Sequence, residues 1–446
     1  RQVYLDRHNP YLAVRSKAAQ QRNGRHSTST QELFLDSVKI GFIGLGGRGS
    51  GLADLVVKMD DVTIPAVCDV YQDRVDKKIE RIEELKGYRP DGYNDYRQML
   101  DRGDLNGVVI ASSWTTHVEI AIAAMRAGVY AGSEVGGASS IQECWELVRV
   151  SEETGVPFML LENCCFGREE MAVLNMVKQG LFGELIHCQC GYEHDLRSEI
   201  TRGNENRHYR LDNFVHRNAD LYPTHGVGPI AKMLDINKGN RFISLVSMSS
   251  KARGLHDYAV NNLGPEHSEF ATDFAQGDIT TTMVKCAHGE TVLLTHDCSL
   301  PRPYSRGQRV QGTRGLWMED KNAVHFDDFP GEEWADMANY LRDYDHPVWK
   351  DFVADGVQGG HGGMDYLVQR SFVDAIKAGR QTPIDVYDSV AWMAITALSE
   401  DSIACGSQPV PFPDFTNGKW ITTRPEPDNY WTLDGIYTGE EQPFGR

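Results

Sequence analysis

Apolar and polar positions follow two rhythms along this chain. From residue 37 to about 160, short β-rich apolar runs alternate with stretches of helical spacing. That alternation predicts a parallel sheet covered by helices. The first run, Val38-Lys39-Ile40-Gly41-Phe42-Ile43, precedes a helical pattern over 52–59, and Val62-Thr63-Ile64-Pro65-Ala66-Val67-Cys68 precedes a charged helix over 73–86. Strand-like runs at 105–111, 128–135 and 156–161 are separated by an alanine-rich helix over 118–127 and another over 141–153. Beyond 164 a helix over 169–179 leads into β-rich runs at 186–192, 242–249, 279–286 and 291–298. Ala287-His288-Gly289-Glu290 between the last two predicts a hairpin turn. Helices over 364–377 and 386–404 come next, and a Pro- and aromatic-rich tail from Gly406 is expected to lie irregularly on the surface. The predicted class is therefore α/β plus α+β. A doubly wound parallel sheet spans 37–163, and an open, mostly antiparallel sheet belongs to 164–446. Residues 1–36, with a basic, helix-compatible start, are expected to form an arm over the body or a partner subunit.

Between the first strand and the first helix lies Gly44-Leu45-Gly46-Gly47-Arg48-Gly49, a G-x-G-x-x-G turn. In a dinucleotide site the first glycine allows the tight turn, the second lets a pyrophosphate approach the backbone, and the third lets helix pack on strand. The helix N-terminus offers free N–H groups to the phosphates. The second strand ends in Asp69, about 20–25 residues on, where a carboxylate accepts from the adenosine ribose and repels a 2′-phosphate. The turn thus predicts a Rossmann domain binding NAD rather than NADP. Trp114 and His117, beyond the strand over 105–111, are candidates to flank the dinucleotide, as are Glu134, Val135 and Asn163 at later strand ends.

With 446 residues the chain is long enough for two domains with real cores. Its 45 basic and 63 acidic residues leave a net charge of −18, which argues against nucleic acid or an anionic membrane as a partner. No apolar run reaches the length of a membrane-spanning helix. Nine cysteines, several in apolar runs, predict buried free thiols and no metal site.

The first 160 residues, closing on Glu134-Val135-Gly136, resemble the glucose–fructose oxidoreductase/inositol dehydrogenase (Gfo/Idh/MocA-like) family, in which a sugar binds between a nucleotide domain and an open sheet. That family usually carries Glu-Lys-Pro at this point, and an Asp where this chain has Leu221, so a plain dehydrogenase is not implied. Glu162-Asn163-Cys164-Cys165-Phe166-Gly167-Arg168, Tyr222-Pro223-Thr224-His225-Gly226 and Pro301-Arg302-Pro303-Tyr304-Ser305 are together similar to glycoside hydrolase family 109, the NAD-dependent α-N-acetylgalactosaminidases. This resemblance implies a retaining exo-glycosidase that oxidises the sugar at C3, eliminates across C1–C2, adds water and re-reduces. Tyr222 and His225 would then move the protons at O3 and C2, and Tyr304 would protonate the leaving oxygen or wall the sugar. Arg210, Glu146 and His361 are candidate sugar contacts. The implied substrate is a glycan ending in α-linked N-acetylgalactosamine, and a homodimer through the antiparallel sheet is expected. Family members are often exported with their cofactor, so a bacterial periplasmic or secreted location is expected. A sugar dehydrogenase and a non-catalytic NAD or sugar sensor are the competing classes.

Overall fold

The computed structural model describes residues 35–424 and 429–435. The expected arm lies outside the described residues, apart from its last two. The N-terminal sheet is parallel, six-stranded, in the order β3-β2-β1-β4-β5-β6. Its strands are β1 (Val38–Ile43), β2 (Val62–Cys68), β3 (Asp91–Tyr93), β4 (Gly107–Ile110), β5 (Tyr130–Ser133) and β6 (Phe158–Leu160). The strand order reverses between β1 and β4, which opens a crevice at their carboxyl ends. Ile40, Phe42, Val108 and Ile110 are fully buried in this sheet. Each such side chain contributes about 1.5–3 kcal/mol by leaving water.

Helix α1 (Gly47–Val56) begins five residues before its predicted start, inside the glycine turn, with Gly46 at its N-cap. Glycine lowers helix propensity, but here closeness decides: a Cβ on Gly49 would lie 1.9 Å from the Gly44 carbonyl oxygen. Helices α2 (Gln72–Lys86), α3 (Tyr96–Leu100), α4 (His117–Arg126) and α5 (Ile141–Thr154) complete the first layer.

After α6 (Arg168–Lys178) comes β7 (Leu185–Glu193), then short helices α7 (Arg197–Thr201), α8 (Gly203–Asn206) and α9 (Arg210–His216), and then α10 (Thr224–Met233). These short helices were not predicted, being too brief and too polar to show an apolar period. Strands β8 (Phe242–Ser249), β9 (Ile279–Cys286) and β10 (Thr291–Asp297) follow, with α11 (Gly254–Asn262) between β8 and β9. The second sheet has nine strands, β14-β13-β12-β11-β7-β10-β9-β8-β15. The further strands are β11 (Arg309–Gly312), β12 (Gly315–Met318), β13 (Ala323–Phe326), β14 (Ala335–Asp336) and β15 (Val410–Pro411). Its pairs are antiparallel except β7 with β10. The predicted hairpin joins β9 to β10, with Val284 opposite Val292. Helices α12 (Ala338–Tyr344) and α13 (Pro347–Asp355) precede α14 (Met364–Ala378) and α15 (Val386–Ala404).

The tail corrects the expectation of an irregular surface segment. β15 extends the sheet edge beside β8. Phe412, Phe415, Trp431 and Leu433 are buried. Lys232, buried on α10, reaches Asp388 at 2.5 Å and Asp434 at 2.8 Å. A buried ammonium needs such partners, because desolvation alone would drive off its charge.

Candidate active site

The crevice between β1 and β4 carries the glycine turn. Gly44 adopts φ +90°, and a Cβ there would meet the Ala111 and Ser112 backbone at 2.4 Å. Leu45 N donates to Asp69 Oδ2 at 2.6 Å, and Tyr71 N donates to Asp69 Oδ1 at 2.9 Å. The acid at the end of β2 therefore also fixes the turn. A Cβ on Gly47 would meet nothing within 4 Å, and one on Gly46 only the Arg74 guanidinium. An open backbone cradle at a helix N-terminus, with a carboxylate beside it, fits a dinucleotide diphosphate and its adenosine ribose. Arg48, Glu134 and Asn163 converge with this cradle: Arg48 bonds Glu134 through Nε and Nη2, each at 3.1 Å. Val135 is buried beside Glu134.

Beyond the cradle lies an aromatic chamber built from distant elements. Trp114 follows β4, Tyr192 ends β7, Tyr209 and Arg210 open α9, Tyr222 precedes α10, and Tyr304 sits after β10. Trp114 lies 4.9 Å from Tyr209 and 5.6 Å from Tyr222, ring centre to ring centre. Tyr222 lies 4.4 Å from Tyr192 and 5.0 Å, edge-on, from His225. Burial raises the Tyr222 hydroxyl well above its usual range, and the nearby Arg210 charge opposes it. The Arg210 guanidinium stands 4.8 Å over the Tyr222 ring and 5.2 Å over Trp114. Its Nε lies 2.9 Å from Glu199 Oε1, an ion-pair contact, while neither Nε nor Nη1, both buried, makes a hydrogen bond among the described residues. A buried, unused donor beside aromatic faces is suited to a sugar oxygen.

His225 stands in the first turn of α10, and its Nδ1 donates to Glu162 Oε1 at 2.6 Å. Glu162 is fully buried. Burial disfavours the imidazolium, but the neighbouring Cys164 sulfur and the Glu162 carboxylate outweigh it and raise His225 to about 10. Glu162, Cys164 and His225 bring their donor atoms within 4.8 Å of one another. Such a spacing could accept a soft cation, which the sequence did not suggest. Tyr304 is 49% exposed, 5.0 Å from His194 and 6.2 Å from Tyr192. Its loop is pinned on both sides, by Arg302 to Asp297 at 2.9 Å and by Arg306 to Glu170 and Glu319.

Three candidates stand elsewhere than expected. Glu146 is solvent-exposed on α5 and pairs with Arg149 at 3.0 Å, so it is a helix-surface acid and joins neither cluster. His117 is buried, its Nε2 3.0 Å from the Ser112 carbonyl oxygen, and burial lowers it to about 4. It is thus a neutral ring bracing the loop after β4, whose Ser112 lies against Gly44 of the glycine turn. His361 bonds Asp365 at 2.8 Å, and so joins the Arg48 network rather than the aromatic chamber. The sequence reading missed Glu162, Tyr192, Tyr209 and Asp365. Of these, only Glu162 had a signal, as the residue beside Asn163 at a strand end.

Residues 166–422 match the family described as Glycosyl hydrolase 109, C-terminal domain. The chain belongs to glycosyl hydrolase family 109. Residues 38–161 match the oxidoreductase family with an NAD-binding Rossmann fold. An α-N-acetylgalactosaminidase of Tannerella forsythia is 44% identical over 87% of this chain and 88% of its own. One of Shewanella oneidensis is 38% identical over 88% of each. Levoglucosan dehydrogenase in complex with NADH superposes with a TM-score of 0.65 at 18% identity, covering 85% of this chain and all of that one. That likeness shows the fold. This family 109 member is thus a glycoside hydrolase whose cofactor is NAD.

Proposed function

We propose that this enzyme releases terminal α-linked N-acetylgalactosamine from glycans with retention of configuration, by transient oxidation at C3, elimination across C1–C2, addition of water and re-reduction. The observation that carries this reading is a chamber holding Tyr222, His225 and Tyr304 in a chain with a dinucleotide turn, where the carboxylates that meet His225, Arg210 and Arg48 each face a cationic side chain. Glu162 is bonded to His225 and Glu134 to Arg48, and Glu199 forms an ion pair with Arg210. Most glycosidases instead need two working carboxyl groups across the scissile bond.

NAD, when bound, takes up a hydride from sugar C3 and later returns it. Tyr222 and His225 handle two protons, one at O3 and the other at C2; because burial holds the Tyr222 proton and Glu162 holds that of His225, each acts as a base from its small deprotonated fraction. The ketone at C3 makes the C2 proton acidic enough for a side chain to remove. Its loss breaks the C1–O bond, and the departing oxygen takes a proton from the Tyr304 hydroxyl. Water then adds at C1 and gives its proton to the Tyr304 phenolate, the base returns a proton to C2, and O3 regains its own. Arg210 Nη1 donates to a sugar hydroxyl or to the acetamido oxygen, and Trp114, Tyr192 and Tyr209 wall the ring. Val246, Met248, Thr281 and Met283 share one face of the second sheet, and the exposed Met248 and Met283 support a homodimer through it, which sedimentation would test.

The test is an aryl α-N-acetylgalactosaminide given to the protein as purified, with no cofactor added. Phenol release without net NADH, and none from the 3-deoxy analogue, is expected. NADH accumulating with an oxidised sugar would mean a dehydrogenase. Binding without turnover would mean a sensor.

A further inference from the structure

The glycine turn is tied to the second half of the chain by an ionic knot that the sugar chemistry does not use. Arg48, in the first turn of α1, places Nη1 2.8 Å and Nη2 2.9 Å from the two oxygens of Asp365. Its other edge holds Glu134. Asp365 lies in the first turn of α14, 317 residues further along the chain. It also accepts from Asn163 Nδ2 at 2.8 Å and meets His361 Nδ1 at 2.8 Å. Its side chain is only 6% exposed. Burial works against its charge, but the bonds from His361 and Arg48 outweigh that and hold its carboxyl far below the usual range. Arg48, Glu134 and Asn163 come from the glycine turn and the ends of β5 and β6, at the carboxyl edge of the parallel sheet where a dinucleotide lies. A two-pronged guanidinium–carboxylate bond fixes direction as well as charge.

We propose that Asp365 is a positioning residue for the dinucleotide. By holding Arg48 and Asn163 across the glycine turn, it slows the release of NAD, so that one cofactor serves many turnovers. A net-hydrolytic cycle regenerates its oxidant, so retention costs nothing in rate. The inference takes its geometry from the cofactor site and its benefit from the redox-neutral cycle proposed above, and it stands whatever sugar is cleaved.

The test compares the holoenzyme with Asp365→Ala, Asp365→Glu and Arg48→Lys. Each is desalted, and released NAD is captured by an alcohol dehydrogenase with ethanol and read as NADH fluorescence. Loss of one charge-assisted bond predicts release about 10- to 100-fold faster for Asp365→Ala. Asp365→Glu should recover part of the retention. Arg48→Lys keeps the charge, loses the fork, and should also release faster, which preserves the test if Asp365→Ala does not fold. Release within about 2-fold of the parent for the folded variants overturns the proposal. So does slower release, which would mean that the pair occupies the cofactor's own space. Melting of the NAD-stripped proteins separates a structural role: equal losses with and without NAD would also overturn it.

Discussion

Replacing Glu162 by Gln tests the buried pair at the centre of the chamber. Gln keeps the volume and an acceptor oxygen for His225 Nδ1 but removes the charge. Two unit charges about 4 Å apart at an effective dielectric of about 20 interact by about 4 kcal/mol, or about 3 pH units. His225, held at about 10 in the parent by Cys164 as well as Glu162, should therefore fall by up to about 3 units, toward about 7. The folded value stands above the unfolded 6.5, so the stabilisation is fully present below pH 6.5 and is lost as pH rises through 10. The stability gap between parent and variant should reach up to about 4 kcal/mol near neutral pH and shrink by about 1.4 kcal/mol per unit between about 7 and 10. Urea unfolding at a series of pH values reads the gap, and imidazole resonances of labelled protein read the titration. A parent His225 titrating near 6.5, or a variant shifted by less than about half a unit, would refute the reasoning.

Tyr222→Phe keeps the ring packing against Tyr192 and Trp114 and removes the hydroxyl; it should lower kcat about 10²- to 10⁴-fold with NAD content intact, measured on an aryl glycoside with cofactor assayed by chromatography. Gly44→Ala places a Cβ 2.4 Å from backbone at φ +90° and should cost about 3 kcal/mol of stability or more in urea unfolding. Gly46→Val, at an open position, should instead leave the unfolding midpoint of the NAD-free protein nearly unchanged and abolish NAD binding, read by equilibrium dialysis. Lys232→Met leaves Asp388 and Asp434 buried without their shared cation and should cost about 3–5 kcal/mol, again by urea unfolding.

Features written in consecutive residues were legible before any fold was known. The glycine turn, its flanking strand and Asp69 form one local unit, and the alternation of strands and helices carried the parallel sheet. What was not legible depends on closure over distance. Glu162 meets His225 across 63 residues and Asp365 meets Arg48 across 317, and no spacing in the sequence announces either. Tyr192 looks like any aromatic in a strand until the sheet carries it against Tyr222. The tail, rich in proline and aromatic residues, gave no sign that Trp431 and Asp434 are buried against partners on α14 and α10. Glu146 failed for the opposite reason: it fits a helix that passes near the site, but its side chain points to solvent beside Arg149. His361 was a candidate sugar contact, whereas its neighbour Asp365 draws it to the cofactor turn.

The central claim is that the sugar's C2 proton leaves and returns during a hydrolysis with no net redox. Following an α-N-acetylgalactosaminide in heavy water by NMR tests this most directly. Deuterium at C2 of the released sugar, appearing in step with phenol, is the predicted result. Phenol release at full rate with C2 entirely protonated, and with a 3-deoxy substrate cleaved as well, would contradict it.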